Sequence, residues 1–189
     1  SHCGNGGERS GGDGLHCGND GPILHQLVRK SLCSQRILDG LVIETRKDTY
    51  MVISRTAIVV RYAETDQMGI AHHANYPIWF EAARTDFIKL LGYTYSEIEH
   101  MGILLPLAEL TCRYIRPSHY EDELIVETHI ERLTPARVVF GYRVLKAGED
   151  GPLCTGTTTH AWTGRNLKPM NLKKNHPALY EALQAAYRE

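Results

Sequence analysis

The segment Tyr62–Tyr76 (YAETDQMGIAHHANY) gathers the side chains of this sequence best suited to chemistry. Two carboxylates, Glu64 and Asp66, precede Gly69 and the adjacent His72 and His73, and a helical pattern follows at once. A helix N-terminus presents backbone N–H groups that have no intrahelical acceptor, together with the positive end of the helix dipole. Such a terminus polarises a carbonyl and stabilises an oxyanion, while a nearby carboxylate attacks it or activates water. On composition alone a plainer reading is favoured: Asp66 and Glu64 are turn residues, and the histidines flank a helix at the surface.

Other reactive residues carry less. His2-Cys3-Gly4-Asn5 recurs as His16-Cys17-Gly18-Asn19, and two His-Cys pairs could supply soft ligands to zinc. The spacing fits no common finger, so no metal site is expected. Of the 17 glycines, 8 fall in residues 1–21, which read as a disordered tail. The cysteine count is 5, an odd number, which argues against a disulfide framework; Cys112 and Cys154 lie in strand-like segments and read as small buried hydrophobes. His160 reads as a packed or exposed strand residue, and Arg84 as a partner for an acidic neighbour.

The elements that must position the loop are legible from Met51 onward. Residues 1–50 are expected to be a low-complexity or disordered extension, 51–170 the folded domain and 171–189 a C-terminal helix. Parts of 22–50 could form a short helix, and Met51, ahead of the first convincing strand, is a candidate natural start. Thr56–Tyr62 is β-branched and apolar, a buried-strand pattern. Tyr76, Trp79, Phe80, Ala83, Phe87, Leu90 and Leu91 form one helical stripe, with Asn75 as expected N-cap and Gly92 as stop. Thr94 and Glu97 have the form of a capping box opening a short helix. Strands are expected over 104–116, broken by Pro106, and over 123–133, 137–146 and 153–163, with a closing helix at 177–187. One antiparallel sheet and one dominant apolar helix make an α+β fold.

Asp66-x-x-Gly69-Ile70, then His73 and Asn75-Tyr76, resembles the active-site signature of hotdog-fold acyl-CoA thioesterases. The helix text Phe80-Glu81-Ala82-Ala83-Arg84-Thr85-Asp86, the strand text Arg113-Tyr114-x-x-Pro117 and the element order extend the resemblance over about residues 55–170. It is similar to the 4-hydroxybenzoyl-CoA thioesterase family and to the thioesterases associated with the Tol-Pal system. The resemblance implies a single hotdog domain, a five-stranded sheet wrapped around a long central helix. It also implies hydrolysis of an acyl-CoA thioester, with Asp66 as nucleophile or general base. Backbone amides near His73 would grip the thioester oxygen, and Gly69 would permit the turn that delivers them. Tyr76 matches an aromatic position, and Glu81 the position of another family carboxylate. Arg137, Arg165 and Lys168 lie near strand ends where the family binds the nucleotide. No cofactor is implied, coenzyme A being part of the substrate. A homodimer or homotetramer is implied, with the site built across subunits. Trp79, Phe80, Met68 and Ile70 are candidates to line an apolar pocket. A non-catalytic acyl-CoA-binding module on the same fold is the alternative; a hotdog dehydratase ranks last, since its His and acid context is not found.

The 189 residues carry a formal charge of −1, with 42% hydrophobic and 23% charged residues, a globular composition without the basic footprint of a nucleic-acid binder. No run approaches the ~18 apolar residues of a membrane span, and no signal segment opens the chain. A cytoplasmic protein is expected.

Overall fold

A computed structural model describes residues 41–46 and 49–187. The expected tail, the His-Cys repeat and the short helix before residue 41 lie outside the described residues. The strands are β1 (Leu41–Arg46), β2 (Thr49–Val59), β3 (Leu107–Tyr114), β4 (Glu123–Leu133), β5 (Arg137–Lys146) and β6 (Cys154–Ala161). The helices are α1 (Asn75–Leu90), α2 (Tyr95–His100), α3 (Leu172–Asn175) and α4 (Pro177–Tyr187), with a 3-10 turn at Tyr62–Glu64. All strands pair antiparallel in the order β1-β2-β4-β5-β6-β3, so β3 is a free edge among the described residues.

The sheet curls around α1 because alternation and helical period aim their apolar faces at each other. Leu124, Val126, Thr128 and Ile130 of β4, and Val138, Phe140, Tyr142 and Val144 of β5, are buried on one face. They meet the stripe Tyr76, Trp79, Phe80, Ala83, Phe87 and Ile88 of α1. Phe80 stacks on Tyr142 at 4.4 Å, and Phe87 meets Phe140 edge-on at 5.8 Å. Burying one such side chain stabilises by roughly 1.5–3 kcal/mol. Gly156 permits the close approach: a Cβ there would lie 2.4 Å from the Thr111 carbonyl oxygen and 2.6 Å from the Phe80 ring. Leu179, Tyr180 and Leu183 of α4 are buried where that helix packs on β4 and β2.

The five expected strands are present, and β4, β5 and α4 have the expected bounds. Differences have local causes. A sixth strand, β1, pairs with β2 from Leu41↔Ser54 to Arg46↔Thr49, so the sheet reaches into the stretch expected to be an extension, and Met51 lies inside β2 rather than ahead of a strand. Val42, Ile43 and Thr45 give this stretch strand propensity. β3 begins after Pro106, which has no N–H for a ladder. Asn75 is not the N-cap. Ala74 takes that position with helical dihedrals, and the Asn75 amide is spent instead on the loop before it. The Thr94–Glu97 capping box is formed. Among the described residues no helix is long and apolar enough to cross a membrane.

Among the described residues Arg84 pairs with no acid. Its Nε donates to Tyr95 Oη at 2.6 Å and its Nη1 to His160 Nε2 at 2.7 Å, while His160 Nδ1 donates to the Leu105 carbonyl at 3.1 Å. These bonds require the neutral ring. Burial first, and the neighbouring guanidinium second, hold His160 down at about 4. The unfolded chain takes this proton near pH 6.5 but the fold only near 4, so folding stability falls as pH drops through that window, with a slope of up to one proton, about 1.4 kcal/mol per pH unit. Urea-denaturation midpoints across pH 4–6.5 are expected to show that slope in the wild type and to lose it in His160→Gln; equal slopes in both would refute the assignment.

Candidate active site

Glu64 builds the loop. The chain leaves β2, turns through Tyr62–Glu64 and buries the Glu64 side chain, 5% exposed. One carboxylate oxygen accepts Arg61 N at 2.8 Å; the other accepts Arg61 Nη2 at 2.8 Å and Trp79 Nε1 at 3.2 Å. Burial pushes this carboxyl up, but the bonds from Arg61 and Trp79 outweigh it and hold it below the usual carboxylate range. The Glu64 carbonyl accepts His72 N at 2.8 Å and Asn75 Nδ2 at 2.7 Å, pinning the far end of the loop beside its start. Between these anchors Asp66 N donates to Ile70 O and Gly69 N to Asp66 O, both at 2.9 Å. Gly69 closes this turn at φ +76°, a conformation that favours glycine.

The loop delivers Asp66 to a cleft of about 350 Å³ lined by Asp66, Met68, Ile70, His73, Tyr76 and Tyr114, among others. Asp66 Oδ1 accepts Met68 N at 2.8 Å, and Oδ2 has no hydrogen bond among the described residues. The start of α1 supplies the second feature. Ala74 N donates to His72 Nδ1 and Asn75 N to His72 O, whereas His73 N–H has no acceptor among the described residues. Asp66 and His73, whose amide has no acceptor among the described residues, thus line one cleft, a pairing suited to attack on a carbonyl.

Aromatic packing shapes the rest. Tyr114 donates from Oη to the His73 carbonyl at 3.1 Å, and its ring meets Tyr76 edge-on at 5.1 Å. Burial raises the Tyr114 phenol, which keeps it a donor. Tyr76 is 2% exposed, its hydroxyl 3.1 Å from Ser118 Oγ, so it is both core and cleft wall. Arg116 also lines the cleft, its guanidinium held by Glu149 at 2.9 Å and by the Asp150 and Gly151 carbonyls.

Asp66, His73 and Tyr76 are therefore brought together, with Gly69 shaping their loop. Glu81 is exposed on α1 and does not line the cleft. Arg137 lies on the opposite sheet face, in a separate cleft with Glu109 and Glu131. Arg165 donates to the Glu99 and His100 carbonyls at the end of α2, and Lys168 is exposed beyond β6. Proximity to a strand end does not say which face a side chain takes. Met68 and Ile70 line the cleft as expected; Trp79 and Phe80 instead point into the core. Tyr114 and Arg116 also line the cleft; Tyr114 is named in the Arg113-Tyr114-x-x-Pro117 text, where Arg116 is one of the unspecified positions.

Asn75→Ala removes the side-chain donor to Glu64 and His72. Amide hydrogen exchange at Ile70–Ala74 is expected to speed up, with global stability lowered by only about 1 kcal/mol. Unchanged exchange there would contradict the anchoring role.

Comparisons with known proteins identify the family and the fold. A family model described as the thioesterase-like superfamily matches residues 60–183. The Bacillus subtilis (strain 168) protein named "Putative acyl-CoA thioesterase YneP" is 39% identical over 138 residues, 72% of this chain and 99% of that one. The crystal structure of DHNA-CoA thioesterase from Staphylococcus aureus is similar at a TM-score of 0.66 and 35% identity, covering 69% of this chain and 87% of that one. The hypothetical protein TT1821 from Thermus thermophilus is similar at 0.66 and 33%, covering 72% and 99%. The sheet wrapped around α1 is the hotdog fold, and the chain belongs to the thioesterase-like superfamily.

Proposed function

We propose that this protein hydrolyses acyl-CoA thioesters to a free carboxylic acid and coenzyme A. The observation that carries this reading is the cleft lined by both Asp66 and His73, whose amide has no acceptor among the described residues. The thioester carbonyl oxygen accepts from His73 N–H, which draws charge off the carbonyl carbon. Asp66 then acts on that carbon as nucleophile, or as general base on water. The leaving thiolate has a conjugate pKa near 8.5, so no strong general acid is needed. Gly69 holds the turn, Tyr76 and Tyr114 wall the acyl group, and coenzyme A enters as substrate with no separate cofactor. Glu81, Arg137, Arg165 and Lys168 lie outside the cleft of one subunit and are not used in this scheme. The names of the Bacillus and Staphylococcus relatives support an acyl-CoA substrate. The helix and strand texts around Arg84 and Tyr114 support placement with the 4-hydroxybenzoyl-CoA and Tol-Pal-associated types.

The working unit in this proposal is a cytoplasmic homodimer or homotetramer. The free edge of β3, with Leu107 and Leu110 exposed, supports sheet joining between copies.

A thiol-release assay over a panel of aliphatic and aromatic acyl-CoAs tests the reading. Wild type is expected to turn over at least one of them and Asp66→Asn to lose ~10³-fold or more in kcat while still binding it. Near-wild-type hydrolysis by Asp66→Asn would defeat the assignment, and no turnover by wild type would leave a binding module.

A further inference from the structure

The start of α1 lacks one donor that a helix ordinarily supplies, and the sheet supplies it instead. In a helix each carbonyl accepts from the N–H four residues on. Ala74 has helical dihedrals, φ −68° and ψ −15°, and Asn75 and Tyr76 belong to α1, so the His73 carbonyl is aimed at residue 77. That residue is Pro77, which has no N–H and whose ring crowds the carbonyl four residues back. Among the described residues this carbonyl accepts one hydrogen bond, from Tyr114 Oη on β3 at 3.1 Å.

We propose that Tyr114 is a positioning residue for hydrolysis: its hydroxyl stands in for the N–H that Pro77 lacks and so fixes His73, whose own amide polarises the thioester carbonyl. The two peptide planes that meet at His73 are held by different residues. Asn75 N and Nδ2 donate to the His72 carbonyl at 3.0 and 3.1 Å. A trans peptide sets its N–H opposite its C=O, so this grip directs the His73 N–H away from Asn75. Tyr114 holds the carbonyl of the next peptide. A residue anchored through both planes does not swing; released on one side, it pivots about the other and carries its N–H with it. An amide fixed in advance costs no reorganisation as charge develops on the substrate.

Tyr114 is itself well placed to hold another group. Its backbone is in register with Cys154 of β6, and its ring meets Tyr76 edge-on at 5.1 Å. Tyr76 is buried, with its hydroxyl 3.1 Å from Ser118 Oγ. Donor and acceptor of the Tyr114–His73 bond belong to one subunit, so nothing in it depends on a free β3 edge. Phenylalanine at 114 keeps the ring that walls the cleft and deletes only the donor. Alanine at 77 restores a backbone N–H where the His73 carbonyl is aimed.

The effect on rate rests on the thioesterase reading, whereas the substitution of one donor for another does not, and the test separates them. Tyr114→Phe is measured in two backgrounds of the full chain, wild type and Pro77→Ala. In the wild-type background kcat is expected to fall about tenfold, less than the ~10²–10³-fold of losing an oxyanion donor outright, with KM within about twofold. In the Pro77→Ala background the same change is expected to cost less than about threefold, because the new amide takes over the carbonyl. The carbonyl-carbon resonance of selectively labelled His73 needs no substrate; it is expected to move in Tyr114→Phe and to return in Pro77→Ala/Tyr114→Phe. An equal loss of kcat in both backgrounds, or a loss carried by KM alone, would make Tyr114 a wall and nothing more, and would overturn the positioning role. A resonance unmoved by Tyr114→Phe would overturn the hydrogen bond itself. No turnover by wild type on any acyl-CoA would defeat the hydrolysis reading and with it the effect on rate, while the resonance would still decide whether Tyr114 replaces the Pro77 amide.

Discussion

Glu64 is the residue on which the arrangement of the cleft depends. Its carboxylate holds the Arg61 amide, the Arg61 guanidinium and the Trp79 indole, while its carbonyl holds His72 and Asn75. The end of β2, the Asp66 turn and the first turn of α1 are thereby fixed to one point. A carboxylate this buried is stable as an anion only because several donors converge on it. Asp66, two residues later, is treated in the opposite way: one oxygen is fixed by Met68 and the other has no hydrogen bond among the described residues. Two acids from one short segment thus take different roles through the number of donors each receives.

The helix behind the loop is held as firmly as the loop itself. Trp79 belongs both to the Glu64 cluster and to the apolar stripe of α1, so packing in the core sets where the helix N-terminus points. Further along α1, Phe80 occupies the space left by Gly156, and Arg84 is locked by Tyr95 and His160. Rotation of α1 that would withdraw the His73 amide is opposed at each of these points. Placing the site on a packed helix rather than a loose segment keeps reacting groups aligned before substrate arrives.

Much of this frame was legible in the sequence. Alternation in 123–133 and 137–146 and the helical stripe after Asn75 are local signals, and they gave element bounds close to those observed. The Asp66 loop was legible through its motif. What was not legible depends on contacts between residues far apart in the chain. The Tyr114 hydrogen bond to His73 and the capture of Arg116 by Glu149 exist only once β3 has joined the sheet. Arg137 lies in a different cleft of the subunit from Asp66, and a strand position alone does not tell which face a side chain takes; the partner of Arg84 is a neutral histidine rather than an acid. Residue type points Asn75 to an N-cap role, whereas the tertiary contact with Glu64 uses its side chain as a donor.

In the proposed scheme a thioester is bound with its carbonyl between Asp66 and the His73 amide. A crystal structure with a keto analogue of acyl-CoA, a methylene placed between sulfur and carbonyl so that no thiolate can leave, tests it most directly. The analogue's carbonyl oxygen is expected about 3 Å from His73 N, with its carbonyl carbon facing Asp66 Oδ2. A carbonyl seated away from this amide, or an analogue held in the cleft of Arg137 on the opposite sheet face, would contradict it.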